Sequence, residues 1–376
     1  MKRLSILLSI AVLILMIGCK KDSVQTLAEP EESAEIQRYT GPIELSTLTD
    51  RSSCPWIVIP AGSVDALADA IANICDDGVI YLKAGTHTEN LPVVINKSVK
   101  IIGEAGAVLK ISSDLAPYNP DFTMNVFPGL HVLNAPGTLI QDLDIQPVGD
   151  DAGTAILIEK SDASAVMRCN ISNFQFSIMI ERSSRITAMF NKIQGSGLWL
   201  TGEVEEALGI VNINGESTYL ADNDITNTVF GIWACGSWGT CERNMTHANL
   251  IGIILCNVPP YMLLPSGEVT GADLPATGWK VNNNVCTGNF DNGIMIIDGS
   301  NRNRVWNNQA NGNGLSPVSG TAADIETFND SYMFGFLTPQ VYDNYIDASS
   351  DPATTIRNCG TNNTFIGGTP VGGDCR

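Results

Sequence analysis

Three side chains of this 376-residue sequence could move a proton together if the backbone brought them onto one surface: Lys192, Asp224 and His247. They supply a base, an acid and an imidazole that changes charge near neutral pH, enough to abstract a proton as a catalytic set. A Lys–Asp pair of this kind is more often a surface ion pair worth under about 1 kcal/mol. A second group suits binding rather than chemistry. Met179, Trp199, Trp233, Ile254 and Met295 would form an apolar stripe if they faced outward, and tryptophan rings stack on the flat faces of sugars. Both groups are far apart in sequence, so only a periodic backbone could assemble them.

Such a period is present. Asn170, Asn191, Asn223, Asn244, Asn284, Asn308 and Asn344 recur at spacings of 21, 32, 21, 40, 24 and 36 residues, as if loops were inserted into a unit of 21. A period in this range marks stacked supersecondary units that bury a core only by piling up. The segments between are short, β-branched and punctuated by glycine and asparagine, as in "SIMI", "GLWL", "GIWA", "GIIL" and "GIMII", which excludes helical repeats. Three short strands joined by tight turns account for the unit, and coils stacked in parallel rise by about 4.8 Å. The recurring asparagine suits a turn in the left-handed region and an amide ladder from coil to coil. Side chains alternate across a strand. Ile178, Leu198, Ile232, Ile253 and Ile294 therefore point inward, and the apolar stripe points outward, either to stack on sugars or to be covered by an inserted loop such as the one bearing Tyr261, Met262, Leu263 and Leu264. On the strand after the asparagine turn, Lys192, Asp224 and Met245 stack outward, with Gln194, Thr226 and His247 in the row beside them.

The segment Ser63–Ile111, "SVDALADAIANICDDGVIYLKAGTHTENLPVVINKSVKIIGEAGAVLKI", gives a short helix and then the first coils. Ser63 is the expected N-cap. Ala66, Leu67, Ala70, Ile71 and Ile74 share one helical face that can close the apolar end of the stack. With these features the chain resembles a right-handed parallel β-helix protein of the pectin-lyase-like superfamily over roughly residues 55 to 368. The resemblance implies an all-β fold, a single-stranded right-handed solenoid with a short N-terminal capping helix. It implies little about function, because this coil carries many activities. The paired aspartates, Gly-His-Gly and Arg-x-Lys elements of polygalacturonases have no counterpart here. Nor do the "DPHD" of mannuronan epimerases or the Trp-x-Asp-His segment of pectate lyases, so no catalytic residue carries over.

The first 22 residues, "MKRLSILLSIAVLILMIGCKKD", join a charged start to an apolar run and a small residue before Cys19. They resemble a bacterial lipoprotein signal of the Bacteroidetes type. That implies cleavage before Cys19, lipidation of Cys19, and an outer-membrane anchor with the domain facing the cell surface or the periplasm. The expected organisation is a signal over 1–18, an acidic tether over 19–50, and a β-helix over 51–376. Inserted loops are expected near 201–216, 256–280 and 315–323.

Forty acidic against 21 basic residues give a net charge of −19. Loss of Lys2 and Arg3 with the signal lowers this to −21. Such a charge argues against nucleic acid, and against polyuronates unless divalent cations bridge them. Apart from Cys19, nine cysteines remain. The sequence-near pairs expected after export are Cys54–Cys75, Cys235–Cys241 and Cys359–Cys375, with Cys169 or Cys286 left free in the core. No cofactor is expected. Calcium is the one ion the acids could gather by folding, as at Asp291 and Asp298, but no loop has ligand spacing for it. The functional expectation is an anchored lipoprotein that binds or helps to process a polysaccharide through the apolar, tryptophan-bearing face. The alternatives are a structural or adhesive rod, and a lyase or hydrolase with unfamiliar catalytic residues.

Overall fold

The computed structural model describes residues 54, 56–113, 118, 126–149, 153–197, 207–258, 274–315, 323–328 and 340–372. The signal, Cys19 and the tether lie outside these residues. The strands form three parallel sheets of 12, 11 and 8 strands, and a two-stranded antiparallel ribbon pairs Asn257–Val258 with Leu274–Pro275. One coil shows the plan: Ala165–Met167 lies in the first sheet, Asn170–Ser172 in the second and Phe176–Glu181 in the third. The next coil begins at Thr187 directly over Ala165. This is the all-β, right-handed parallel β-helix expected from the repeat.

The inward residues are β-branched or small because a strand in a narrow stack has room for short, stiff side chains. Along the third sheet Ile156, Ile178, Ile210, Ile232, Ile253 and Ile294 fall in one register row, and all are fully buried. Val166, Ala188, Leu220, Cys241 and Val281 form the matching row of the first sheet. Glycine opens "GIWA" and "GIIL" for a steric reason. A Cβ on Gly231 would lie 2.5 Å from the Gly252 carbonyl oxygen, and one on Gly252 would lie 2.5 Å from Thr246 Oγ1. That corner is too tight for any larger residue.

The asparagines stack, in three ladders rather than one. Asn191, Asn223, Asn244, Asn284 and Asn308 form the first, each side-chain amide donating to the next Oδ1 at 2.9–3.0 Å. Asn303, Asn344 and Asn363 form a second at another corner. Asn249, Asn289 and Asn313 form a third and end on Asp324. Two members of the expected row are therefore misplaced. Asn170 is exposed and pairs in register with Lys192, while Cys169 takes the ladder position beneath Asn191. Asn344 belongs to the second ladder. The left-handed residue of the first corner also falls one place before the ladder, at Arg168, Phe190, Asp222, Arg243, Asn283 and Asn307.

The expected rung at Leu198–Trp199 is corrected by the register. Leu208–Ile213 pairs with Phe176–Glu181 and then with Phe230–Ala234, so Ile210 takes the inward place expected of Leu198 and Val211 the outward place expected of Trp199. Leu198 and Trp199 lie outside the described residues. The insertion near 201–216 thus ends before Leu208. The repeat misled here because "GLWL" and "GIVNI" have the same pattern, and only pairing separates them.

Helix α1 (Leu67–Asn73) buries Leu67, Ala70 and Ile71 against the first coils, and Ile74 is buried just beyond its end. Ser63 does not cap it. Its hydroxyl donates to the Pro60 carbonyl, and the free N–H groups of Ala66 and Leu67 donate instead to Glu89 Oε1 at 3.0 and 2.8 Å.

Cys54 and Cys75 form the expected disulfide. Cys235 bonds to Cys256 rather than Cys241, because the two lie on adjacent rungs while Cys241 points into the core. Cys359 is disulfide-bonded; its partner is outside the described residues, where Cys375 lies. Cys169, Cys241 and Cys286 are free and buried.

Candidate functional site

The apolar stripe exists as a register row on the outer face of the third sheet: Leu157, Met179, Val211, Trp233, Ile254 and Met295. It is not open. Met179 is 1% and Ile254 4% exposed, and the row packs in a second apolar cluster with Phe176, Leu208 and Cys256. Trp233 and Met295 are half-buried against that cluster. Phe230 meets Trp233 edge-on at 5.3 Å, and the indole N–H of Trp233 points at Cys256 Sγ. Met179 and Ile254 have almost no surface to offer a ligand.

The same face carries two buried charged groups that the sequence alone did not single out. At the N-terminal end, His131 Nε2 lies 3.1 Å from Glu159 Oε2, and the Tyr118 hydroxyl donates to that oxygen at 2.5 Å. Arg182 donates to Glu159 Oε1 at 2.9 Å, with Lys160 at 3.4 Å. Burial alone would raise the Glu159 pKa, yet the hydrogen bonds from His131 and Tyr118 and the nearby cations hold it down to about 2. Burial and the Glu159 charge push the Tyr118 phenol well up. A shared carboxylate thus orients an imidazole and a phenol, the parts of an acid–base site. His131 is only 5% exposed, so the group as it stands pins Tyr118 to the sheet. The sequence signal was the outward position of Glu159 just after the inward Ile158, legible only once the rungs are aligned.

At the C-terminal end Glu326 and Arg357 pair on adjacent rungs, both buried. Arg357 Nε donates to Glu326 Oε1 at 2.7 Å, and Asn292 donates to Oε2 at 2.9 Å. Burial raises the Glu326 pKa despite the Arg357 charge.

The outer face of the second sheet is open. Asn170, Lys192, Asp224 and Met245 stack in one row, with Ser172, Gln194, Thr226 and His247 beside them. His247 Nε2 lies 3.2 Å from Asp224 Oδ1, and the two side chains are 41% and 37% exposed. Lys192 follows in register but forms no ion pair among the described residues. The structure brings together two members of the expected trio and leaves the third beside them.

Among the described residues no group of three His, Cys, Asp or Glu side chains could hold a metal ion. Asp291 is buried at a turn and Asp298 occupies a left-handed turn position.

Three parallel sheets wound as one stack place the chain in the parallel β-helix class. Among solved structures it is similar to the Dettilon tailspike protein, with a TM-score of 0.54 and 16% identity over 83% of this chain and 68% of that one. It is also similar to the A-module of the mannuronan C-5 epimerase of Azotobacter vinelandii, with a TM-score of 0.51 and 12% identity over 82% of this chain and 91% of that one. No protein-family model matches the chain, and no curated protein matches it by sequence. At these identities the likeness is one of fold.

Proposed function

We propose that this protein is a cell-envelope lipoprotein, held through Cys19, whose β-helix binds or helps to process a polysaccharide. The observation that supports it most is the open face of the second sheet. Two register rows there present amide, hydroxyl and charged side chains at the rung spacing of about 4.8 Å. Repeating polar groups on a rigid surface suit the repeating hydroxyls of an extended glycan. The fold is also shared with an enzyme named for its action on mannuronan. Screening the purified protein against neutral and uronate polysaccharides at several calcium levels tests the reading, with retention of at least one glycan expected. If none is retained, the reading fails. Palmitate labelling of Cys19 tests the anchor, and an unlabelled cysteine refutes it.

The second reading is a structural or adhesive rod. It is favoured by the burial of Met179 and Ile254, which closes the stripe first expected to bind.

A further inference from the structure

The first sheet carries a second open surface near its C-terminal end, unlike any other among the described residues. Arg304 lies between two aromatic rings, 5.8 Å from the centre of Trp306 and 5.7 Å from that of Tyr345. Trp306 shares its strand, and Tyr345 sits opposite it on the next rung. Both rings are partly exposed. Lys280 lies opposite Arg304 on the preceding rung, and Arg302 stands at the corner just before that strand. These three cations are exposed and form no ion pair among the described residues. Elsewhere Arg168, Arg182, Arg243 and Arg357 are each held by carboxylates. In a chain with almost twice as many acids as bases, three cations without a carboxylate partner among the described residues, beside two aromatic rings, are not a generic surface.

The platform ends in a recess. Beyond Trp306 and Asp347 lies a hollow of about 220 Å³ lined by Asn307, Asn308, Gln309, Asn311, Ser350 and Asp351. Asn311 donates to Asp351 at 2.6 Å. The lining is amide, hydroxyl and carboxylate, so it suits sugar hydroxyls and repels an anion. Asp347, opposite Trp306 in register, adds a second carboxylate at this end, its pKa lowered by hydrogen bonds from Ser349. The cationic end and the hydroxyl-binding end are thus separated across the aromatic rings. Positions two residues apart on a strand are roughly 7 Å apart, about the reach of one pyranose ring.

We infer that this surface is a subsite for an acidic sugar unit, a uronic acid within a glycan. The ring face stacks on Trp306 and Tyr345, the carboxylate meets Lys280 and Arg304, and the opposite hydroxyls enter the hollow. The inference rests on the polysaccharide reading and names a surface for it other than the second sheet. It also marks where the objection to polyuronates from net charge fails locally: the molecule as a whole repels them, but this patch does not.

The test is calorimetric titration of the full protein with a short oligogalacturonate and with a neutral galacto-oligosaccharide of the same length. The wild type is expected to prefer the uronate by about tenfold or more. Trp306→Ala should weaken both ligands about tenfold, while Lys280→Gln and Arg304→Gln should lower uronate affinity to the neutral level. Unshifted melting temperatures would show that these exposed variants still fold. Equal binding of the two sugars, or variants that bind uronate like the wild type, overturn the subsite alone if the wild type still retains a polysaccharide in the screen above. If it retains none, the polysaccharide reading falls as well.

Discussion

The amide of Asn244 shows how one residue holds the stack. Its Oδ1 accepts from both the backbone and side-chain nitrogens of Asn223, and its Nδ2 donates to the Leu220 carbonyl and to Asn284. Every one of these groups is buried. Asn244→Ala would leave several donors and acceptors without partners, at about 1–3 kcal/mol each; denaturant unfolding should show a loss well beyond that of a surface substitution. Glu159 makes a second prediction. Its folded pKa of about 2 lies below the ordinary 4.5, so its contribution is complete above about pH 4.5 and is lost as pH falls towards 2. Glu159→Gln should flatten that acid limb in thermal melts between those pH values. The three free thiols are a third case. Burial pushes Cys169 and Cys286 up to about 12 and raises Cys241 well above the usual thiol range, so none should react with a thiol reagent at pH 8 until the protein is unfolded. At this scale the inward isoleucines were legible from alternation alone. The partners of His131 were not, because Tyr118 and Glu159 reach it through folding and carry no spacing that marks them.

At the scale of elements, α1 depends on a residue from another strand. Glu89, opposite Ile111 in the second sheet, receives two backbone N–H groups at the helix start. Glu89→Ala should cost about 1 kcal/mol, whereas Ser63→Ala should cost little because the Ser63 hydroxyl is turned to Pro60. Paired unfolding curves would separate the two. The helix and its buried face were readable from spacing, but its cap was not, since a cap supplied across 22 residues leaves no local pattern. The Cys235–Cys256 bond has the same lesson. Sequence nearness favoured Cys241, yet adjacent rungs are 21 residues apart and set the true partner; peptide mapping under non-reducing conditions should recover the Cys235–Cys256 pair. The "GLWL" rung was misread because two segments with equal patterns compete for one place, and hydrogen-bond register decides between them.

For the molecule as a whole, three asparagine ladders and a continuous isoleucine core make a rigid stack whose faces differ in character. The third sheet turns an apolar row and two buried charge groups outward and keeps them covered. The second sheet presents polar rows to solvent, and the end of the first presents aromatic rings with cations that no carboxylate holds among the described residues. The solenoid itself could be derived from the repeat. Which outward face stays open could not, because alternation along a strand marks a side chain as outward without saying what packs over it. Under the proposed function, glycan contact belongs to the open faces and Trp233 has a packing role. Affinity electrophoresis of the wild type and Trp233→Ala in gels containing a retained polysaccharide tests this assignment most directly. Equal retardation of the two proteins, with a lower melting temperature for the variant, is predicted. Loss of retardation in a variant that melts like the wild type would contradict it.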